Sequence, residues 1–223
     1  MEHFTDFHAH ILPGVDHGCK NDEECIEQLR IAVKYGIKTI AATPHFYPHL
    51  HNVEDFIAAR DGAFDRMKVS FDEYGIEVIP AAEVQLCIGL DKLPGLDKLC
   101  VENTKTILVE IPDMPMSCDM YDTLKRISRK YNVVISHVDR YSKDVVRKLI
   151  SENYMLQLNA ESMTVLFEKK RISDILESGL VYAVGSDLHG KDKRPYVAMV
   201  KAKRRFFQYF ETINQRMNKL LGR

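Results

Sequence analysis

The chain has 223 residues, 45% hydrophobic and 28% charged, the balance of a soluble globular protein with room for one sizeable core. Its net charge of −1 excludes a global field favouring nucleic acid or an anionic membrane surface. No apolar run approaches the roughly 20 residues needed to span a bilayer, and no basic-then-apolar leader opens the sequence. A cytoplasmic protein without membrane insertion or nucleic-acid partner is therefore expected, as a single domain over residues 1–223.

Short apolar runs alternate with stretches of helical period. Strands are predicted at residues 3–7, 38–43 ("KTIAAT"), 76–83 ("IEVIPAAE"), 106–110 ("TILVE"), 133–137 ("VVISH"), 154–159 ("YMLQLN") and 181–186 ("VYAVGS"). Mostly continuous apolar runs suit parallel strands buried on both faces. Between them, residues 22–35 place Ile26, Leu29 and Val33 on one stripe before Gly36. Residues 53–74 place Phe56, Phe64, Met67, Phe71 and Tyr74 on another before Gly75. Shorter helices are predicted at 119–131, 143–152 and 165–178, and a final one from about 196 carries Phe207, Phe210, Ile213, Met217 and Leu220. Seven strands alternating with helices predict a parallel α/β fold. So many units in so short a chain favour a distorted (β/α)₇ TIM-like barrel over an open, doubly wound sheet, although periodicity alone does not decide closure.

In parallel α/β folds, functional groups sit where strands end. The first strand here runs into His8 and His10, the second into His45, the third into Glu83, the fourth into Glu110 and the fifth into His137. The seventh ends in "SDLH", giving Asp187 and His189, and only the sixth, ending in Asn159, offers no metal ligand. Any one of these is an ordinary loop or core residue. Together they predict a shared rim. With His17, nine candidates exceed the three protein ligands typical of one catalytic zinc and suit two or three divalent ions, with Glu83 bridging. Nitrogen and oxygen ligands without thiolate point to manganese, iron or zinc. Arg140, three residues after His137, and Arg194, five after His189, are candidate phosphate clamps.

Taken in order, "DFHAHILPGVDHG", "TPHFYPH", "LVEIP", "SHVDRY" and "SDLHGKDKR" resemble the PHP (polymerase and histidinol phosphatase) superfamily, most closely its bacterial capsule-type tyrosine-protein phosphatases. The resemblance spans essentially the whole chain. It implies a PHP-type barrel with a trinuclear, often manganese-dependent centre. Its implied substrate is phosphotyrosine on the tail of a bacterial tyrosine kinase that controls capsule or exopolysaccharide synthesis. Carried over by motif, the metal ligands are His8, His10, His45, Glu83, Glu110, His137, Asp187 and His189, while Arg140 and Arg194 match arginines that contact phosphate. One departure is visible: relatives end the first motif in "DDG", with the second aspartate a ligand, whereas this chain has "DHG". His17 holds that place and is the preferred ligand; Asp16 is the alternative.

The cysteines Cys19, Cys25, Cys87, Cys100 and Cys118 form no CxxC pair, and none is followed six positions on by arginine. A thiol-based tyrosine phosphatase, which needs Cys-x₅-Arg, is thereby excluded. Asp139 and His189 are candidate proton donors, and Phe46 and Tyr47, in a loop with His49 and His51, a candidate wall for a phosphotyrosine ring. Two rival readings stand: a small-molecule phosphomonoesterase of histidinol-phosphatase type, and a non-catalytic kinase-binding regulator with the same fold.

Overall fold

A computed structural model describes residues 4–223, so residue 3 of the predicted first strand lies outside the described residues. Strands fall where the apolar runs predicted them, with two breaks. The first, β1, is Phe4–Ala9, followed by helix α1, Asp22–Lys34. The second predicted strand is β2, Ile37–Ala42, and beyond a break it is continued by β3, His45–Phe46, outside the predicted span; α2, Val53–Tyr74, follows. The third splits into β4, Glu77–Pro80, and β5, Glu83–Gln85. Pro44 and Pro80 lack the N–H that an unbroken ladder requires. Hydrogen bonds from Ala81 N to Ala42 O and from Glu83 N to Pro44 O carry pairing across the break, so both strands jog together.

The remaining strands are uninterrupted: β6, Thr106–Glu110, β7, Asn132–Ile135, β8, Met155–Asn159, and β9, Val181–Gly185. They alternate with α3, Cys118–Ile127, α4, Lys143–Ser151, α5, Ala160–Thr164, and α6, Lys169–Glu177. The chain ends in α7, Arg194–Arg205, and α8, Phe207–Leu220.

Every strand pairing is parallel, in the orders β1-β2-β4 and β3-β5-β6-β7-β8-β9. Because β2 runs on into β3 and β4 into β5, the two sheets are halves of one seven-strand succession. The last strand returns to the first: Asp187 N donates to His8 O at 2.7 Å and His10 N to Leu188 O at 3.1 Å. These bonds meet at the C-terminal rim, giving the distorted (β/α)₇ arrangement that so short a chain favours.

Local chemistry sets the helix ends. Asn21 and Asn52 accept from the N–H groups of Glu24 and Asp55, and Ser142 from Val145, each satisfying a first-turn donor. The predicted final helix is broken at Phe206, whose φ of −121° and ψ of 32° leave the helical region. That break shifts the helical phase. Phe206 is buried and Phe207 is 71% exposed, whereas an unbroken helix would have buried Phe207 with Phe210. In α1 the buried face is Glu24, Cys25, Gln28, Leu29 and Ala32, so Val33 lies outside the core. No helix among the described residues is long and apolar enough to cross a membrane.

Candidate metal centre

The jog in the second and third strands has a direct chemical consequence. It sets His45 opposite Glu83 in the β3–β5 register, and His45 Nδ1 lies 3.0 Å from Glu83 Oε2. The same oxygen is 3.2 Å from His8 Nε2 and 3.5 Å from His10 Nε2. Glu83 Oε1 is 2.9 Å from His137 Nε2, which lies 3.5 Å from Glu110 Oε1. Asp187 Oδ1 is 3.6 Å from His8 Nε2 and 3.5 Å from His10 Nε2. Glu83, Asp187 and four imidazoles thus converge at one rim.

Outer partners aim these side chains. His10 Nδ1 donates to Asp16 Oδ2 at 2.6 Å, His8 Nδ1 to Gln157 Oε1 at 3.2 Å, and His189 Nδ1 to the Asp187 carbonyl at 3.0 Å. Each bond places the proton on Nδ1 and leaves the Nε2 lone pair free, as a metal-ligating histidine requires. Gln157 also accepts from His137 N at 2.6 Å and donates to Asn159, whose amide donates to Asp187 Oδ2 at 2.9 Å. Gln157 and Asn159 are supporting positions beyond the predicted residues, while Asp16, the predicted alternative to His17, holds His10 Nδ1. Their signal is present in part: Gln157 and Asn159 share one face of an otherwise apolar strand.

Close backbone approach makes room for the cluster. A Cβ on Gly18 would lie 2.2 Å from His10 Cβ, and one on Gly185 would lie 2.5 Å from His8 Cβ. His137 and Asp187, neither a glycine, hold positive φ of 31° and 52°. Backbone strain of this kind concentrates at functional sites.

Electrostatics follow from burial and crowding. Burial opposes the charge on Glu83, yet the crowding imidazoles of His8, His10, His137 and His45 hold it well below the usual carboxylate range. Asp187 is held low against its burial by His8, His10 and Arg140, and Asp16 by its bond to His10. Burial lowers the His137 pKa, but Glu110 and Glu83 outweigh it and raise the group to about 9. Burial and neighbouring His10 depress His189 to about 4, so its imidazole is neutral near pH 7.

The donor set fits divalent metal ions. His45 Nδ1, both Glu83 oxygens, His137 Nδ1 and His189 Nε2 are buried without a hydrogen-bond partner. His45 Nδ1 and Glu83 Oε2 lie 3.0 Å apart yet make no hydrogen bond, which leaves both with bonding capacity that a cation could take up. Three groups bring their ligand atoms within 4.8 Å of one another: His10, His45 and His189; His8, His10 and Asp187; His45, Glu83 and Glu110. His10 and His45, each shared by two groups, join the three into one cluster.

The remaining predicted residues divide between the mouth, the surface and the core. His17 is exposed at the mouth, its ring centre 4.8 Å from those of His45 and His189, and it is in none of the three groups. Arg140, 57% exposed, is paired with Asp187 Oδ2 at the edge of the cluster. Arg194 is exposed and its guanidinium is paired with Asp192. Asp139 turns away: its oxygens accept from Asn159 N and Ser162 Oγ. Phe46 is fully buried core, so of the expected aromatic wall only Tyr47, stacked 5.1 Å from His45, faces the site.

Fold and site together define a parallel (β/α)₇ protein whose strand ends converge on a cluster of imidazoles and carboxylates that could hold metal. The chain belongs to the CpsB/CapC family of capsular polysaccharide synthesis, whose family model matches residues 4–217. It is 28% identical over 210 residues to the tyrosine-protein phosphatase YwqE of Bacillus subtilis, covering 86% of this chain and 79% of that one. The tyrosine-protein phosphatase CpsB of Streptococcus pneumoniae is 27% identical over 210 residues, covering 85% and 84%. Among solved structures, one described with YwqE and CpsB as metal-dependent tyrosine phosphatases superposes with a TM-score of 0.78 at 23% identity, covering 98% of this chain and 94% of the other. The histidinol phosphate phosphatase of Lactococcus lactis, solved with zinc, L-histidinol and phosphate, shares the fold at a TM-score of 0.64 and 13% identity, covering 92% and 93%.

Proposed function

We propose that this chain is a metal-dependent protein-tyrosine phosphatase that acts, as one domain in the cytoplasm, on the phosphotyrosine tail of a bacterial tyrosine kinase governing capsule or exopolysaccharide synthesis. The observation that carries the reading is the buried cluster of unpartnered ligand atoms around Glu83, with Arg140 at its edge. His8, His10, His45, Glu83, Glu110, His137, Asp187 and His189 would hold two or three divalent ions, manganese foremost. His17 would complete the set at its open side. When bound, such ions supply Lewis-acid chemistry at a phosphoryl oxygen.

The chain's own residues do the rest. Arg140 offers a planar fork that engages two phosphate oxygens and stabilises their charge. Its pairing with Asp187 holds the guanidinium toward the cluster. Neither predicted proton donor is equipped to protonate the leaving group, because Asp139 is committed to Asn159 and Ser162, and His189 is neutral. A tyrosine leaving group, with a reference pKa of about 10, departs with less protonation than an alkoxide needs. That asymmetry favours aryl over alkyl phosphates. A regulator without catalysis would tolerate a scattered ligand set, whereas here the candidates converge.

Thiol chemistry plays no part. Cys19, Cys25 and Cys100 are buried, and burial pushes the Cys100 thiol up to about 12. The test is turnover of a phosphotyrosine peptide by the manganese-loaded protein. Chelation should abolish it and iodoacetamide should leave it intact; the reverse pattern overturns the proposal. Faster turnover of histidinol phosphate than of the peptide would favour the small-molecule reading instead.

A further inference from the structure

We infer that the cleft between the loop after β6 and the start of α4 is the leaving-group subsite, which takes the aromatic ring of the phosphotyrosyl side chain, with Met114 as its specificity-determining residue. The inference rests on the phosphatase reading above and says which part of the substrate this surface reads.

The cleft encloses about 780 Å³, a volume in the range of small-ligand sites. Glu110, His137 and Arg140 line its inner end, so it opens directly from the ligand cluster and the guanidinium. A phosphate held there must send its leaving group somewhere, and this cleft adjoins that point. Another large cleft, lined by Arg129, Tyr131 and Tyr154, opens at the N-terminal ends of β7 and β8, away from the cluster.

The outer walls set the large side chains of Met114, Met116, Tyr121 and Tyr141 beside the polar Asp113 and Ser142. Tyr141 is already fixed, since its hydroxyl accepts from Ile111 N at 2.9 Å and its ring lies 5.6 Å from that of His137. The Tyr121 ring carries the Lys148 ammonium 3.5 Å from its centre. Met114 is different. It is 60% exposed and lies between Pro112 and Pro115, whose fixed φ limits how far the loop can wander. A flexible, polarisable thioether presented on a stiff loop adapts to the face or edge of an aromatic ring. A phenyl ring set against Met114 and the tyrosine faces removes apolar surface from water.

The test uses manganese-loaded protein and two phosphonates that cannot be hydrolysed, phenylphosphonate and methylphosphonate, compared by calorimetry. The wild type should prefer the phenyl compound. Met114→Ser should weaken phenylphosphonate binding about three- to tenfold, the scale of a thioether–aromatic contact, and leave methylphosphonate unchanged. Met114→Leu should keep most of the preference. Equal affinity of the wild type for the two compounds, or a preference that survives Met114→Ser, overturns the subsite. Absence of phosphotyrosine turnover with the phenyl preference intact would instead sink the proposed function and leave the subsite standing.

Discussion

Glu83 is the side chain on which the site turns, since its two oxygens meet imidazoles from three different strand ends. Glu83→Gln should keep the fold and lower metal content, with activity falling by more than about 100-fold, read by elemental analysis beside circular dichroism. Asp16→Asn removes the carboxylate that fixes the His10 tautomer and should weaken metal binding by about 10- to 100-fold. His137 sets a pH dependence whose sign is definite. Its folded pKa, about 9, lies above the unfolded value near 6.5. In the metal-free protein its charge therefore contributes stability that is full below pH 6.5 and is lost as pH rises through 9. Metal needs the neutral imidazole, so metal affinity should climb over the same window, and an NMR titration of His137 with and without manganese would follow both.

The loops and strand breaks carry the geometry that side chains alone do not. The loop from His10 to Cys19 is pinned at several points: Gly14 N donates to Cys19 O, Asp16 accepts from His45 N, and Gly190 N donates to Gly18 O. Gly18 is needed there because any Cβ would enter His10. Gly18→Ala should destabilise the protein by about 1–3 kcal/mol, measured by urea unfolding. Gly62 is the contrast, an exposed helical glycine in α2 with nothing within 4 Å of its added Cβ. Gly62→Ala should stabilise by about 0.5–1 kcal/mol in the same experiment. A reversal of these two signs would show that the rim is packed more loosely than these contacts require.

Taken whole, the molecule places its charge conflict at one end of a well-packed barrel. Buried polar atoms without a partner cost stability, and a bound divalent cation would relieve that cost. Manganese at about 100 times its dissociation constant should raise the melting temperature by roughly 5–10 °C, and chelation should reverse the gain. A melting point indifferent to metal would contradict the fit of the ligand set.

Strand identity, parallel pairing and the rim location of the polar groups were legible in the sequence because they depend on local apolar runs and on which residues end them. His8, His10 and Asp187 could be nominated from "DFHAH" and "SDLH" for that reason, and "DHG" flagged the one departure from relatives. The rest depended on contacts between distant segments. The jog that sets His45 against Glu83 exists only when two strands break in the same register. The break at Phe206 depends on how the last helices meet the barrel. Whether Asp139 is free, whether Phe46 lines a wall, and that Asp16 serves His10 were decided by tertiary packing. Asp139 finds its partners 20 or more residues away in the chain. Even Asp16, six from His10, reaches it only because the intervening loop folds back, which no local pattern encodes.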